Sequence, residues 1–446
     1  MSAEAVWWCR VVWCGVVAVT DEPAIPVQLC CISITLIQFE GNSREAVTDH
    51  FNRNNNRLSH RARNLREQAS TDSAPSGRMR GRPTKPVGPS RSAVSCNNAQ
   101  VEISKLAESP AFVAVDLGTE IPATGAVRNA RKILQDGAKT MARTITYGFA
   151  CFEQQRGGLS AGISAEGPER IDAVAAFAAE TTASVAAGTW SIDPAKGVSH
   201  EDLSVLASVD TRSSLHRTEV GGHRADDLMA ARSVAQVVEL TLAGDLDGRT
   251  VAAEIFDDAS VLGVHEMCAR GARVVSLSSE IGTVSLAGGV DPDALVEAWR
   301  TDGHECLKTL DLGEPTARNK VLGAKVDALC IGSKVGVLAH QGMPYMKAGT
   351  IVANGPVPIT TKAFIMARDA GIVVAPDFVS NAGRLLSWHS DADDVESLAS
   401  LNDAAIAAVW DEIKDHEEGP LMGACHRSEA FLKTWVEELP FGRPLA

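Results

Sequence analysis

The stretch RTVAAEIFDDASVLGVHEMCARGARVVSL, residues 249–277, has two apolar runs separated by a segment whose apolar residues follow helical spacing. The first run, 249–256, predicts a buried strand, and ARVVSL at 272–277 predicts the next one. Between them the pattern predicts a helix that ends at Gly271. A strand, a helix and a second strand in this order are typical of α/β proteins with parallel strands.

The same alternation continues downstream. DPDALVEAWRTDG (291–303) predicts a capped helix, and VDALCIG (326–332), TIVA (350–353) and GIVVAPD (371–377) are three further short apolar runs. ITTKAFIMARDAG (359–371) predicts a helix between the last two runs. The order predicts a parallel, doubly wound sheet.

Upstream, strand and helix patterns also mix. AFVAVDLG (111–118) predicts a strand, and VRNARKILQDGAKTMARTIT (127–146) predicts a helix. TITYGFACFEQQRGGLSAGI (144–163) runs from an apolar, helix-like segment into an apparent glycine-rich turn. RIDAVAAFAAETTASVAAG (170–188) and DDLMAARSVAQVVELTLAG (226–244) predict two further helices.

The first hundred residues differ in composition from the rest. The chain of 446 residues has a formal charge of -14, yet residues 51–92 carry ten Arg or Lys against Glu67 and Asp72. This polar, basic composition predicts a partly disordered tail over residues 1–103. RGRP at 80–83 resembles the core of the AT-hook DNA-binding motif over four residues only. We interpret the region instead as a solvated tail, or as sequence upstream of the true start, in which case Val94 or Val101 would be the first codon. The remaining acidic body argues against a nucleic-acid partner or an anionic membrane surface.

Cysteines and apolar runs indicate the compartment. Ten cysteines are scattered without a CxxC pair, which is typical of reduced thiols in a cytoplasmic protein. The run AVWWCRVVWCGVVAVT (5–20) is short for a membrane helix and has neither the basic start nor the cleavage site of a signal peptide. We therefore expect no membrane span.

Four segments together resemble one family, that of the glutamate, leucine, phenylalanine and valine dehydrogenases. The strongest is TIVANGPVPITTKAFIMARDAGIVVAPDFVSNAG (350–383), which follows the ANGP segment, the helix and the PD..ANAGG sequence of that family. GGVDPDALVEAWRTDG (288–303), GGHRADDLMAARSV (221–234) and IPATGAVR (121–128) match in the same order. The resemblance covers residues 105–390.

The resemblance implies an organisation and an activity. After the tail come a substrate and oligomerisation domain (104–225), a Rossmann-like dinucleotide-binding domain (226–385) and C-terminal helices that pack back on the cleft (386–446). Family members use NAD or NADP to deaminate an L-amino acid oxidatively to a 2-oxo acid. The implied partners are an amino acid or 2-oxo acid, and further subunits in a homo-oligomer or in a hetero-oligomer with a related dehydrogenase.

The catalytic positions of the family are altered in this sequence. Two lysines of the family, suited to binding a carboxylate and activating water, correspond to Gly148 and Ser160. The catalytic aspartate falls near Ala195, and a shift of two residues would let Asp193 substitute for it. Asn381 is retained where the family touches the substrate.

The nucleotide-binding positions are altered as well. A dinucleotide fingerprint needs glycines so that the backbone approaches the pyrophosphate at a helix N-terminus; Ile255, Asp257 and Ser260 stand in their place. A carboxylate 4 Å from a phosphate charge costs about 4 kcal/mol at an effective dielectric of 20. The acidic residue that holds the ribose in the family is replaced here by Ser278 or Ser279, and Glu280 is adjacent.

Asn354 is retained, and Ala230 replaces a threonine that contacts the nicotinamide in the family. The other matches are structural: Gly125, Arg128, Gly157, Gly158, Gly355, Pro356, Pro376, Asp377 and Gly383.

Three functions stay open on the sequence: an amino-acid dehydrogenase with relocated catalytic groups, a catalytically inactive paralogue that serves a genuine dehydrogenase as a regulatory or structural partner, and a cleft reused for another ligand. Arg384 is placed either in the cleft, where it would bind a carboxylate, or facing solvent. HEC (304–306) and ACH (424–426) lack zinc-ligand spacing, so no metal is expected. RSSLHR (212–217) and HRSEA (426–430) are interpreted as surface or capping segments.

Overall fold

A computed structural model describes residues 101–446 and, as backbone, two short strands nearer the N-terminus. Those strands, β1 (Trp7–Cys9) and β2 (Ile37–Phe39), pair antiparallel. Residues 1–90 and 91–446 form separate compact units. The RGRP segment and the predicted disorder before residue 101 lie outside the described residues. All the other strands and helices that the structure describes belong to the second unit.

The first sheet of this unit has five strands in the order β3-β4-β6-β5-β7. β4 runs antiparallel to β3 and β6, whereas β5 runs parallel to both β6 and β7. The apolar side chains of the sheet form one core with the helices that cover it. The strands are β3 (Glu102–Lys105), β4 (Ala111–Val115), β5 (Ala123–Ala130), β6 (Gly157–Ser164) and β7 (Trp190–Pro194).

Three helices accompany this sheet: α1 (Gln135–Cys151), α2 (Glu169–Ala186) and α3 (Ser204–Val209). The predicted helix over 127–146 is wrong in its first part, because β5 continues to Ala130 and the helix starts only at Gln135. Val127–Ala130 pair with β6, and this long-range pairing overrides the local helical spacing.

The predicted glycine-rich turn is also wrong in position. The turn occupies residues 152–156, and Gly157 and Gly158 already begin strand β6. Gly158 lies so close to α1 that a Cβ atom would be 1.9 Å from the carbonyl oxygen of Ala142. Its N–H donates to Thr146 Oγ1 at 2.8 Å. The glycine is there for close packing of helix on strand, not for a turn.

A hairpin of β8 (Glu219–Val220) and β9 (His223–Arg224) leads into α4 (Ala225–Thr241). This helix connects the two sheets and confirms the helix predicted over 226–244, apart from its last turn. Its buried side, from Met229 to Val238, packs on the second sheet and on the helix that follows β10.

The second sheet has the order β12-β11-β10-β13-β14-β15, so its direction of growth along the chain reverses between β10 and β13. This confirms the predicted doubly wound architecture. The sheet is not wholly parallel, because β12 pairs antiparallel with β11 across a tight turn. The strands are β10 (Thr250–Glu254), β11 (Arg273–Ser279), β12 (Gly282–Ser285), β13 (Ala328–Ile331), β14 (Thr350–Ala353) and β15 (Val373–Val374).

Helices cover both faces of this sheet and continue to the C-terminus. They are α5 (Asp258–Ala269), α6 (Pro292–Asp302), α7 (Cys306–Thr309), α8 (Thr361–Asp369), α9 (Asp377–Ser380), α10 (Ala382–Ser387), α11 (Val395–Ile413) and α12 (Pro420–Leu432). Asp291 caps α6 and Thr360 caps α8 through their side-chain oxygens, as the sequence predicts. Apolar side chains of α11 and α12 join the core of the second sheet, which also includes Tyr147 of α1.

None of the helices from residue 101 onward is both long and apolar enough to cross a membrane.

Candidate functional site

A cleft of about 880 Å³ lies between the two sheets. One wall comes from β5, β6 and α1, and the other from the loops that follow β10, β13 and β14, where Phe256, Gly332 and Asn354 line it. These loops lie at the carboxyl ends of parallel strands, beside the point where the strand order reverses. Ligands of doubly wound proteins bind at this place, so the cleft is the candidate site.

The N-terminus of α5 faces this cleft and is closed by its own side chains. Ser260 N donates to Asp257 Oδ1 at 2.9 Å, while Ser260 Oγ accepts from the N–H groups of Phe256 and Asp257 at 2.9 and 3.0 Å. This is a reciprocal capping box. In a dinucleotide site, N–H groups at this position face the pyrophosphate. Here the protein occupies several of those donors itself.

Carboxylates surround the same helix end. Asp226, Asp227, Asp257 and Asp258 all line the cleft. Burial raises the pKa of Asp227 to about 6; Arg384 opposes this, and the other three carboxylates add to it. Such an environment repels the two negative charges of a pyrophosphate. The residues present therefore do not fit a dinucleotide bound in the manner of a Rossmann fingerprint.

Of the two positions considered for Arg384, on α10, the solvent-facing one is wrong. Arg384 lines the cleft, and its Nη2 donates to Asp227 Oδ1 at 2.5 Å. Because this guanidinium is already paired with a carboxylate, its charge is largely compensated within the protein.

The position of the first family lysine, Gly148, does not line the cleft. It lies on α1 under α9 and α10, where a Cβ atom would be 2.7 Å from Leu385 Cδ2 and 3.4 Å from Phe378 Cβ. A larger side chain at this position requires Leu385, which itself lines the cleft, to move.

The position of the second lysine, Ser160, is buried and does line the cleft. Its Oγ accepts from Arg128 Nη2 at 3.3 Å. Burial lowers the pKa of Arg128 to about 10, a value at which the guanidinium is still charged at neutral pH. The sequence marks Arg128 only as a structural match; the register Ala126↔Ser160 between β5 and β6 brings it to this place.

Asp193 does not line the cleft, whereas Ala195 and Lys196 do. The Asp193 carboxylate accepts from Arg212 Nη1 at 2.6 Å and lies 3.3 Å from His216 Nε2. Burial alone would raise the pKa of Asp193, but Arg212 and His216 hold it well below its usual range. Its replacement of the catalytic aspartate stays a prediction, and this geometry gives it a buried ion pair instead.

The segments interpreted as surface or capping are partly core. Arg212 and His216 belong to the buried ion-pair cluster, and Ser428 is fully buried with its Oγ donating to Tyr147 O at 2.8 Å. The expectation of surface positions is wrong for these three residues. Within residues 101–446 no group of three His, Cys, Asp or Glu side chains is arranged to hold a metal ion.

The end of β11 offers no free acid for a ribose. Ser278 Oγ donates to Arg318 O, and Ser279 Oγ donates to His304 O at 3.0 Å. The adjacent Glu280 accepts from Lys196 Nζ at 2.6 Å, an ion pair that joins the two sides of the cleft. Ile255, at the first glycine position, is buried.

The two retained asparagines line the cleft. Asn354 Nδ2 donates to Glu254 O at 2.8 Å, and Asn381 Nδ2 donates to Asp377 O at 3.0 Å. Asn354 Oδ1, however, is buried without a hydrogen-bond partner.

Such unpartnered polar atoms concentrate in the cleft. Buried polar groups in proteins normally have partners, so those that lack one indicate a ligand, a water or a function. In the described part of the chain, the cleft-lining residues with an atom that makes no hydrogen bond are Arg224, Asp226, His304, Ser333, Asn354 and Trp388. Of these atoms, Arg224 Nε and Asp226 Oδ1 lie 3.4 Å apart as an ion pair.

Residues 221–424 match the model of the family described as Glutamate/Leucine/Phenylalanine/Valine dehydrogenase. The chain is related to this family. A glutamate dehydrogenase of Aeropyrum pernix is 24% identical over 226 residues, which cover 47% of this chain and 54% of the relative. An NADP(+)-dependent glutamate dehydrogenase of Pyrobaculum calidifontis is 24% identical over 204 residues, 42% of this chain and 48% of the relative. The chain thus spans about half the length of these curated relatives.

Solved dehydrogenase structures share the fold over a larger part of the chain. The leucine-bound, hetero-hexameric glutamate dehydrogenase from Thermus thermophilus superposes with a TM-score of 0.61 at 18% identity, over 72% of this chain and 83% of that one. Glutamate dehydrogenase of Plasmodium falciparum gives a TM-score of 0.61 at 13% identity, over 73% and 79%. These similarities confirm the expected α/β fold with a Rossmann-like sheet.

Proposed function

We propose that this chain is a catalytically inactive relative of the amino-acid dehydrogenases that acts as a ligand-binding partner of a genuine dehydrogenase in the cytoplasm. The observation that carries the proposal is the closed N-terminus of α5. Asp257 Oδ1 and Ser260 Oγ accept hydrogen bonds from the N–H groups of Phe256, Asp257 and Ser260, and four carboxylates line the cleft around this helix end. Without a bound dinucleotide there is no acceptor or donor for a hydride.

The catalytic positions support the same conclusion. Gly148 packs under Leu385, and Ser160 offers a hydroxyl in place of an ammonium group. Loss of a general acid or base costs about 10²- to 10⁴-fold in rate. Losses at groups that act together do not simply multiply, yet each removes a function that the deamination needs.

The role as a partner rests on a precedent among the structural neighbours. The Thermus thermophilus glutamate dehydrogenase is hetero-hexameric, so chains of this fold assemble with non-identical subunits, and that structure contains leucine. An inactive chain with an intact cleft fits the role of a ligand-sensing subunit in such an assembly.

One observation favours the alternative, an NAD(P)-dependent amino-acid dehydrogenase with relocated groups. Arg128 places a cation beside Ser160, where the family has a lysine. For this alternative the dinucleotide would have to bind without the N–H groups that the capping box occupies.

A turnover assay separates the two functions. The full chain is incubated with NADH or NADPH, ammonium and a panel of 2-oxo acids, and the absorbance at 340 nm is followed beside an active glutamate dehydrogenase. We expect no turnover above background from this chain. Turnover that disappears in the Arg128→Met variant would establish the alternative.

The partner role needs a second assay. The chain is co-expressed with a catalytically competent dehydrogenase from the same genome, purified through a tag on one chain, and assayed. Co-purification together with a changed KM or kcat of the competent subunit supports the proposal. Separate elution and unchanged kinetics contradict it.

A further inference from the structure

The two ends of the cleft carry opposite charge. Arg128 and Lys132 line the end beside the first sheet, whereas Asp257 and Asp258 line the end at the N-terminus of α5. This separation of charge complements a ligand with an anionic group at one end and a cationic group at the other.

At the first end the free groups are donors. Arg128 Nη2 donates to Ser160 Oγ at 3.3 Å, and Arg128 belongs to no ion pair among the described residues. Trp388 Nε1 also lines the cleft and is buried without an acceptor. Guanidinium and indole N–H groups without acceptors match the oxygen atoms of a carboxylate.

At the second end the charge is negative even after internal pairing. Asp226, Asp227, Asp257 and Asp258 face two guanidinium groups, one of them Arg384 on Asp227 and the other Arg224 near Asp226. Asp257 and Asp258 form no ion pair among the described residues. Lys334 also lines the cleft on this side, so four carboxylates face three cations and still attract a positive charge.

Asn354 offers a hydrogen-bond acceptor at this end that does not belong to the acidic cluster. Asn354 is 8% exposed, its Oδ1 has no hydrogen-bond partner, and it lines the cleft. Its Nδ2 bond to Glu254 O fixes the amide, so Oδ1 and Nδ2 cannot exchange without losing that bond. A buried acceptor of fixed orientation requires a donor, and an ammonium group is a donor of three hydrogen bonds.

We propose that the cleft binds an amino acid with a basic side chain, its carboxylate at Arg128 and its side-chain ammonium group at Asp257, Asp258 and Asn354. This inference rests on the proposed function, because the ammonium group occupies the region from which the dinucleotide is excluded. An acidic amino acid would place a second carboxylate against Asp257, and an apolar one would leave Asn354 Oδ1 without a donor.

The test is calorimetric titration of the full chain with four probes: L-lysine, putrescine, L-glutamate and NADH. L-Lysine carries both groups, putrescine has the cationic groups only, and L-glutamate has the wrong charge at the second end. We expect L-lysine to bind at least tenfold more tightly than L-glutamate. Equal affinity for the two, or no binding of L-lysine at millimolar concentration, overturns the inference.

Matched variants locate the ligand. Asp257→Asn removes the charge and keeps an N-cap side chain, and it should weaken L-lysine binding about tenfold. Asp291→Asn makes the same change at the cap of α6, outside the cleft, and should leave binding unchanged. Arg128→Met should weaken L-lysine but not putrescine. Equal effects of the two Asp→Asn variants overturn the inference.

The NADH arm keeps the two proposals apart. Micromolar NADH binding contradicts the proposed function, whatever the result with L-lysine. Absence of both NADH and L-lysine binding leaves the inactive-dehydrogenase proposal standing and removes only the basic amino acid.

Discussion

Substituting Ser260 with alanine tests whether the protein itself closes the N-terminus of α5. Ser260 is 4% exposed, and its Oγ accepts from the N–H groups of Phe256 and Asp257 at 2.9 and 3.0 Å. A net hydrogen bond contributes about 1 kcal/mol, and a buried donor left without a partner costs about 1–3 kcal/mol. We therefore expect Ser260→Ala to lower the free energy of unfolding by about 2 kcal/mol.

The assay is urea denaturation of the full chain, followed by circular dichroism. The control is Ser397→Ala on α11. Ser397 donates its backbone N–H to the capping Asp394 at 2.7 Å, but it is exposed and α11 has no reciprocal capping box. We expect the control to change the unfolding free energy by less than about 0.5 kcal/mol. If Ser260→Ala costs no more than the control, the capping box does not hold these N–H groups and the reasoning is refuted.

Three further predictions concern the packing and charges around the cleft. Gly148→Lys should not create turnover. It should lower the free energy of unfolding by about 1–3 kcal/mol through overpacking, because the new Cβ atom meets Leu385. A double-mutant cycle with Leu385→Ala should show favourable coupling between the two substitutions, and a lack of coupling would contradict the overpacking. Arg384→Met leaves Asp227 buried and unpaired, so it should cost about 3–5 kcal/mol at pH 7. The loss should become smaller as the pH falls, because Arg384 lowers the pKa of Asp227 and its removal lets this carboxyl group take up a proton more readily. An Asp227→Asn second change should recover most of the loss. Burial lowers the pKa of His389 to about 3, whereas in the unfolded chain this residue takes up a proton below about pH 6.5. The free energy of unfolding should therefore fall with decreasing pH, and His389 should account for a loss of about 2 kcal/mol at pH 5. His389→Gln should show a shallower pH dependence in thermal unfolding.

Local patterns predicted most of the second sheet. Five of its six strands lie in short apolar runs, and helices α5, α6 and α8 begin after a capping residue, such as Asp291 before Pro292. The pattern did not predict β12, whose Gly282 approaches Thr316 so closely that a Cβ atom would be 2.4 Å from its carbonyl oxygen. That strand depends on a distant loop.

The first sheet was harder to predict because its register depends on distant partners. The helical spacing of 127–146 hides the end of β5, which is held by pairing with β6 more than thirty residues away. The same pairing brings Arg128 to Ser160, and no local signal marks it. Likewise, the contact between Gly148 and Leu385 joins segments that only the folded chain brings together.

The closed end of α5 did leave a signal in the sequence. Asp257 and Ser260 have the three-residue spacing of a capping box before an apolar run. This spacing predicts a self-satisfied helix N-terminus and not merely a degraded glycine motif. The absence of the glycines can be seen in the sequence directly. That side chains bind the N–H groups at this helix end can be predicted only from the spacing of Asp257 and Ser260.

Titration of the full chain with NADH and with NADPH, by calorimetry and beside an active glutamate dehydrogenase, tests the central claim most directly. The capping box and the surrounding carboxylates predict no saturable binding of either dinucleotide up to millimolar concentration. Micromolar binding of either one would contradict the account, and dehydrogenase chemistry would again be the function to pursue.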